Sequence, residues 1–128
     1  MAFHESGIPF KGSSVMLVKL DDNTIKNSVT DGHFASVNEC PHYAVSMGSG
    51  LVYQAGNVVL LANGERKVES VTRSLLGDVT PEVPISYGQK YADNGRNLIY
   101  VLDKIAGRDL LSHKSALKAK KIRIEDRT

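Results

Sequence analysis

The stretch VVLLANGERKV, residues 58–68, carries the strongest local fold signal in the chain. Its Asn63-Gly64 pair separates an apolar arm from a charged arm, and such a pair between β-type segments is the strongest short-range hairpin signal. A type I′ turn needs a positive φ at both central residues, and Gly64 supplies one without strain. The sequence therefore predicts an antiparallel hairpin whose return strand is residues 65–73.

A second turn signal of the same kind, Asp31-Gly32, follows a segment that alternates in polarity. Within residues 25–30, Ile25 and Val29 would lie on one face of a β-strand, with polar residues on the other. Such alternation is typical of a half-buried antiparallel strand. We therefore expect residues 33–38 to return beside this strand.

Further β-type segments fill most of residues 14–91. A strand apolar on both faces is predicted at 14–20, and other strands are predicted at 43–47, 51–62 and 85–91. Pro81 and Pro84 exclude a central strand from segment 74–84, which is expected to be a loop. The predicted fold class is α+β, with an antiparallel β-meander of about six or seven strands.

Two helices are predicted to follow the meander and to pack on one face of its sheet. The first covers 94–106, where four apolar residues recur at helical spacing: Leu98, Val101, Leu102 and Ile105. Asp109 caps the second helix, which runs to Lys121 with a thinner apolar set, Leu110 and Leu117. We expect one domain over residues 1–128, comprising an irregular N-terminal arm (1–13), the meander (14–91), the helix pair (92–121) and a basic tail (122–128).

Composition excludes several classes of protein. Hydrophobic residues make up 41% of the chain and charged residues 23%, as in ordinary globular domains. Cys40 is the only cysteine, so an intrachain disulfide is impossible. The longest apolar run, residues 58–62, is far too short to span a bilayer, and the N-terminus lacks the pattern of a secretory signal.

No metal site, cofactor or catalytic motif is predicted. His33, Cys40 and His42 could supply two imidazoles and one thiolate, but their spacing matches no known zinc framework. Cys40 is expected to be a small apolar filler of the core. The sequence also contains no supported nucleophile–base pair and no phosphate-binding loop.

The C-terminal part of the chain is basic, and two interpretations of it stay open. Lys114, Lys118 and Lys121 recur on one face of the second predicted helix, and Arg123 follows them. These cations form either a solvated helix face, favoured by the helix dipole, or a surface that contacts phosphates.

Strands in a meander followed by two helices, in a chain of 128 residues, resemble the coat proteins of single-stranded RNA bacteriophages. The matching strands would be 14–20, 24–30, 33–38, 43–47, 51–62, 65–73 and 85–91. The resemblance implies homodimers that assemble into a shell, with RNA bound on the inner sheet face, no membrane partner, no enzyme activity and no cofactor. The resemblance carries over no individual RNA-contact residue. The candidates are the cations on the predicted strand faces, Lys19, Lys26, Lys67 and Arg73, with Lys114, Lys118, Lys121 and Arg123 as the basic tail. The expected location is the virion, after synthesis in the bacterial cytoplasm.

Other functions remain open at this point. One is a small non-catalytic nucleic-acid-binding module, located in the cytoplasm, that uses the basic tail. Another is a different phage structural protein, such as a decoration or head–tail joining protein. A third is a small enzyme or ligand-binding domain whose site no motif reveals.

Overall fold

The structure is a computed structural model that describes residues 4–127. In chain order its strands and helices are β1 (Val15–Lys19), α1 (Asp22–Thr30), β2 (Tyr43–Met47), α2 (Ser49–Val52), β3 (Asn57–Ala62), α3 (Val68–Leu76), α4 (Gly88–Asp93), β4 (Asn97–Leu102), α5 (Arg108–Ser112) and α6 (Lys114–Ala119). Short 3₁₀ turns lie at Val37–Glu39, Glu65–Lys67 and Pro84–Tyr87.

The four strands within residues 4–127 form two separate two-stranded sheets. β1 and β2 are antiparallel, with Leu17 opposite Val45. β3 and β4 are parallel, with Leu61 opposite Val101, and the chain between them forms α3 and α4. The predicted meander of six or seven antiparallel strands is therefore wrong.

The Asn63-Gly64 hairpin is the first element of that prediction to fail. Gly64 has φ 81° and ψ 171°, a conformation almost restricted to glycine, whereas a type I′ turn needs both torsions near the left-handed helix. Gly64 instead leads out of β3 into a 3₁₀ turn and α3. Residues 65–73 are thus helical rather than extended, because Val68, Val71 and Leu75 bury one helical face.

The Asp31-Gly32 pair ends a helix and does not connect two strands. Asp21 caps α1 by accepting a hydrogen bond from the Thr24 backbone N–H at 2.7 Å. Gly32 has φ 79° and donates its N–H to the Val29 carbonyl, the usual way for glycine to close a helix. Ile25 and Val29 are four residues apart, a spacing that places them on one face of either a strand or a helix.

The C-terminal predictions are wrong for the first helix and confirmed for the apolar set of the second. Residues 97–102 form β4, whose side chains are apolar on both faces as in buried parallel strands. The second helix is present as two short helices, α5 and α6, interrupted at His113. Leu110 and Leu117 are buried, as the sequence predicted.

Of the remaining strand predictions, some are confirmed and others are wrong. Strands at 43–47 and within 14–20 are confirmed, and the second half of 51–62 forms β3. Residues 33–38 form no strand, and 85–91 form the end of a 3₁₀ turn and most of α4. Local periodicity therefore located the strands β1 and β2 but not their pairing, since 14–20 was expected to pair with 24–30. It also misassigned segments in which helical and strand spacings coincide.

Three apolar clusters hold these elements together. The largest contains Val71 and Leu75 of α3 with Leu110 and Leu117, and the inward face of β3 and β4 packs on it. A second cluster joins Leu20, Ile25 and Cys40, which confirms Cys40 as a core filler, and a third is formed by Tyr53, Tyr87 and Tyr91. No helix within residues 4–127 is long and apolar enough to cross a membrane.

Candidate active site

A surface groove of about 700 Å³ lies where the N-terminal segment meets β1 and the start of α1. Its lining combines apolar strand residues with carboxylates from two separate segments of the chain: Glu5, Ser6, Ile8, Met16, Leu17, Val18, Lys19, Leu20, Asp21 and Asp22. A concave surface with a few convergent polar groups is the usual form of a small-molecule site. The groove therefore has the convergent polar groups of a candidate small-molecule site.

His4 fixes the N-terminal segment against the body of the protein. Its Nδ1 accepts the Ser49 backbone N–H at 3.0 Å, so the ring proton of the neutral form is on Nε2. Nε2 is 3.2 Å from the Ile8 carbonyl and can donate to it. On the far side, the Gly7 N–H donates to the Pro81 carbonyl at 3.0 Å. These bonds on both sides of Glu5 fix the backbone that carries it.

Glu5 is the most unusual acid of the groove. Its Oε2 accepts a hydrogen bond from the Thr24 hydroxyl at 3.0 Å, whereas its Oε1 is buried and has no partner among the described residues. Burial raises the pKa of Glu5 above its ordinary value, the Thr24 hydrogen bond opposes that change, and the charge of Asp21 adds to it. A carboxyl group of this kind is suited to hold or transfer a proton.

The pKa of Asp21, beside Glu5, is shifted in the opposite direction. The backbone N–H of Thr24 donates to its carboxylate at 2.7 Å and lowers its pKa. Two neighbouring carboxyl groups with oppositely shifted pKa values can divide the roles of proton holder and fixed anion. The geometry of the groove thus permits general acid–base chemistry.

A second polar region lies at the carboxyl ends of β3 and β4. The Asp103 carboxylate accepts the Gly64 N–H at 3.1 Å and the Ala106 N–H at 2.7 Å, which ties the two strand ends together. Lys67 stands in the 3₁₀ turn that precedes α3, and its ammonium group has no hydrogen-bond or ion-pair partner within residues 4–127. Strand ends that lead into helix N-termini are favourable places for phosphate groups.

Helix α1 connects these two regions. Thr24, near its first turn, contacts Glu5, whereas Asn27 and Asp31 bind the two guanidinium nitrogens of Arg66 at 2.7 Å each. Thr24 and Asp31 are about two turns apart, roughly 10 Å along the helix axis. The Glu5 region and the cationic turn before α3 therefore lie along one helix.

The four strand-face cations of the sequence analysis do not share a strand face. Lys19 is on β1 and lines the groove, but Lys26 is on α1 and Lys67 is in the 3₁₀ turn. Arg73 is on α3 and pairs with Glu69 at 3.4 Å. Their predicted arrangement on strands is wrong, whereas their binding to RNA stays a prediction.

The basic tail is only partly helical. Lys114 and Lys118 are exposed on α6, and Lys121 follows the helix with φ 59°. Arg123 pairs with Glu125 at 2.7 Å. Phosphate contact by this tail also stays a prediction.

No group of three or more His, Cys, Asp or Glu side chains in the described part of the chain could hold a metal ion. His33 and His42 are exposed, whereas Cys40 is buried in an apolar cluster. That His33, Cys40 and His42 bind no metal stays a prediction.

Sequence reasoning missed Glu5 entirely, because it assigned residues 1–13 to an arm. A single acidic residue in a glycine-containing segment has no periodicity that would reveal its role. The capping pattern of Asp21 with Thr24 was the available signal, since it would have predicted α1 and placed Thr24 in its first turn.

Comparisons with known proteins give a consistent picture of what the chain is similar to. The chain is 37% identical over 110 residues to the glucosamine-6-phosphate deaminase of Clostridium acetobutylicum, a match covering 86% of this chain and 43% of that protein. It is 36% identical over 110 residues to the enzyme of the same name from Lacticaseibacillus paracasei, covering 86% of this chain and 44% of the relative. No protein-family model matches the chain.

A solved structure agrees with these relatives. It is a monomeric glucosamine-6-phosphate deaminase of the NagB superfamily, with a TM-score of 0.72 and 25% identity over 83% of this chain and 41% of that one. The chain thus spans less than half the length of the curated relatives and of the solved structure that it matches.

These similarities overturn the resemblance to RNA bacteriophage coat proteins. The relatives are named as enzymes of one activity, so the predictions of a viral coat protein, of a virion location and of a protein that is not an enzyme are wrong. The similarities equally give no support to the nucleic-acid-binding and phage decoration alternatives. In sequence and in fold, this chain resembles the glucosamine-6-phosphate deaminases over more than four-fifths of its length.

Proposed function

We propose that this chain forms part of the substrate site of a glucosamine-6-phosphate deaminase. The observation that carries the proposal is the similarity to enzymes of that one activity over 86% of the chain. The substrate named by these relatives has a phosphate group and an amino group on one sugar. A site for it needs a cationic or N–H-rich region for the phosphate and a group that transfers protons during removal of the nitrogen.

Glu5 is the proposed proton-transfer group. Its raised pKa lets the carboxyl group hold a proton closer to neutral pH than an ordinary glutamate does. Glu5 is also one of the residues that line the groove. Asp21, held as a carboxylate by Thr24, is the proposed fixed negative charge beside it.

Lys67 and the turn before α3 are the proposed binding place for the phosphate. Lys67 is exposed, and the first N–H groups of a helix have no acceptors within the helix. Arg66 is less suited, because Asn27 and Asp31 already bind its guanidinium group.

A location in the bacterial cytoplasm, the alternative raised from the sequence, is part of this proposal. The homo-oligomer predicted from the sequence is a separate proposal, since neither the fold nor the relatives tests it.

Titration calorimetry of glucosamine 6-phosphate into the chain tests the proposed substrate site. We expect saturable binding that Lys67→Gln weakens by roughly tenfold or more, the loss expected for one charge-assisted hydrogen bond. Lys90→Gln on α4 is the matched control, because it removes the same charge from an exposed lysine outside the site. Glucosamine without phosphate should bind more weakly. Equal affinities for the two variants, or for the two sugars, would refute this assignment.

A further inference from the structure

His4 is held against the start of α2 through both nitrogens of its ring. Nδ1 accepts the Ser49 backbone N–H at 3.0 Å, and Nε2 lies 3.2 Å from the Ile8 carbonyl oxygen. The residue is buried, with only 9% of its surface exposed. A nitrogen that accepts a hydrogen bond carries no proton, so the ring is neutral and has its proton on Nε2. The fold therefore selects one tautomer of this histidine.

The glycines on either side of Ser49 allow the N-terminal segment to lie this close to α2. A Cβ at Gly50 would be 2.7 Å from the Ser13 carbonyl oxygen, and a Cβ at Gly48 would be 2.7 Å from the Ser13 Cβ. Only glycine permits such a close approach. The Ser13 hydroxyl completes the contact by accepting the Gly50 N–H at 2.7 Å. The start of α2 is thus shaped to hold the segment that carries His4.

The same contact determines where Glu5 lies. Glu5 follows His4 in the chain, and its Oε2 accepts the Thr24 hydroxyl at 3.0 Å. After Glu5, the backbone is held by the bond from the Gly7 N–H to the Pro81 carbonyl at 3.0 Å. Before Glu5, the bonds of the His4 ring are the only ones that hold the segment within residues 4–127. Without them, the Glu5 carboxyl group would be free to turn towards water.

We propose that His4 is a positioning residue for Glu5, and that the bond from the Ser49 N–H to its Nδ1 keeps the Glu5 carboxyl group in the groove. The proposal rests on the proposed function for the task of Glu5, whereas the placement of Glu5 by His4 is a property of this fold. A catalytic histidine would need a ring nitrogen that faces the substrate. Both nitrogens of His4 are bonded elsewhere, and His4 is not among the described residues that line the groove.

Nuclear magnetic resonance of the wild-type chain tests the bond itself. An N–H···N hydrogen bond transmits a scalar coupling between its two nitrogens, so the Ser49 amide nitrogen should couple to Nδ1 of His4. The nitrogen-15 shifts of the neutral ring should show a proton on Nε2 and none on Nδ1. A proton on Nδ1, or free exchange between the two tautomers as expected for the exposed His42, would overturn the proposal.

Two substitutions of His4 separate its two bonds. Asparagine places its side-chain oxygen near the position of Nδ1, whereas glutamine places its amide group near Nε2 and leaves the Ser49 N–H without an acceptor. His4→Gln should therefore return the pKa of Glu5 most of the way to 4.5, and His4→Asn should keep it raised. A carbon-13 titration of the Glu5 carboxyl group is the measurement, with circular dichroism to confirm folding. His42→Gln, at an exposed histidine, is the matched control and should leave this pKa unchanged.

An unchanged pKa of Glu5 in His4→Gln would overturn the proposal, and so would an equal fall in His4→Asn, because the acceptor would then play no part. If His4→Gln does not fold, the coupling between the two nitrogens in the wild type still decides the outcome. The proposed function fails separately. A chain in which His4→Gln lowers the pKa of Glu5, but which does not bind glucosamine 6-phosphate, would count against the proposed function alone.

Discussion

At the scale of single residues, the contrast between Glu5 and Asp21 is the most informative feature of the groove. Both are carboxyl groups that contact Thr24, one through its hydroxyl and the other through its backbone N–H. Burial dominates at Glu5 and hydrogen bonding dominates at Asp21, so their pKa values move in opposite directions. The chemistry of the pair is therefore created by the fold and not by residue type.

A carbon-13 NMR titration of the side-chain carboxyl groups tests this contrast directly. Glu5 should titrate above 4.5, the ordinary glutamate value, and Thr24→Val should raise its pKa further by removing the hydrogen bond that favours the carboxylate. Thr24→Ser keeps the hydroxyl and should leave the pKa unchanged. A Glu5 that titrates at or below 4.5 would contradict its proposed role.

The raised pKa of Glu5 also predicts the sign of a stability change. The folded protein binds the Glu5 proton more tightly than the unfolded chain does. The contribution of Glu5 to folding is therefore fully present below its unfolded pKa and is lost as pH rises through the higher folded value. In Glu5→Gln this part of the pH dependence of unfolding free energy should disappear.

Gly64 gives a prediction that is independent of function. With φ 81° and ψ 171°, it occupies a region that residues with a β-carbon almost never adopt, although an added Cβ would meet no atom within 4 Å. Gly64→Val should lower the free energy of unfolding by about 1–3 kcal/mol through backbone strain alone. Gly56→Ala is the control, since Gly56 also has open space but no positive φ. Equal stability of the two variants in denaturant unfolding would show that the turn is not strained.

At the scale of elements, α1 deserves a test because it connects the groove with the turn before α3. Asp21→Ala removes its N-cap and should cost about 1 kcal/mol, whereas Asp21→Asn should cost less because asparagine keeps the capping hydrogen bond and loses only the charge. The pKa of Asp21 is lowered in the folded state, so its charge stabilises above its ordinary value of 3.8, and that contribution is lost as pH falls through the lower folded value. Denaturant unfolding near neutral pH is the measurement, and identical losses for both variants would rule out the capping role.

The same elements show how far local sequence patterns reach. Strands at 43–47 and within 14–20 were predicted, because their residues are extended whatever their partners. Ile25 with Val29, and Leu98 with Leu102, are each four residues apart, which fits a strand and a helix equally well. For 22–30 the Asp21 cap was a further local signal that favoured a helix, whereas tertiary packing decided that 97–102 is extended. The two turn signals were equally ambiguous. Asp31-Gly32 ends a helix, and Asn63-Gly64 joins a strand to a helix.

At the scale of the whole molecule, the candidate site could not have been predicted from local patterns. Glu5 owes its environment to Thr24, and the strand ends of β3 and β4 meet through a bond from Gly64 to Asp103. These contacts join residues that are distant in sequence, and no periodicity encodes them. The exposure of apolar strand residues such as Leu17 and Leu61 was likewise hidden, because in sequence they have the composition of an ordinary core.

Ammonia release from glucosamine 6-phosphate measures the proposed activity most directly. The assay uses this chain fused to the part of the Clostridium acetobutylicum relative that it does not cover, as wild type and as Glu5→Gln and Glu125→Gln variants. Glu125→Gln is the control, because Glu125 is exposed near the C-terminus and pairs with Arg123 and Arg127. We expect turnover in the wild type and in Glu125→Gln, and a loss of about 100-fold or more in Glu5→Gln. A folded fusion that releases no ammonia, or that releases it equally well without the Glu5 carboxyl group, would contradict the proposed deaminase site.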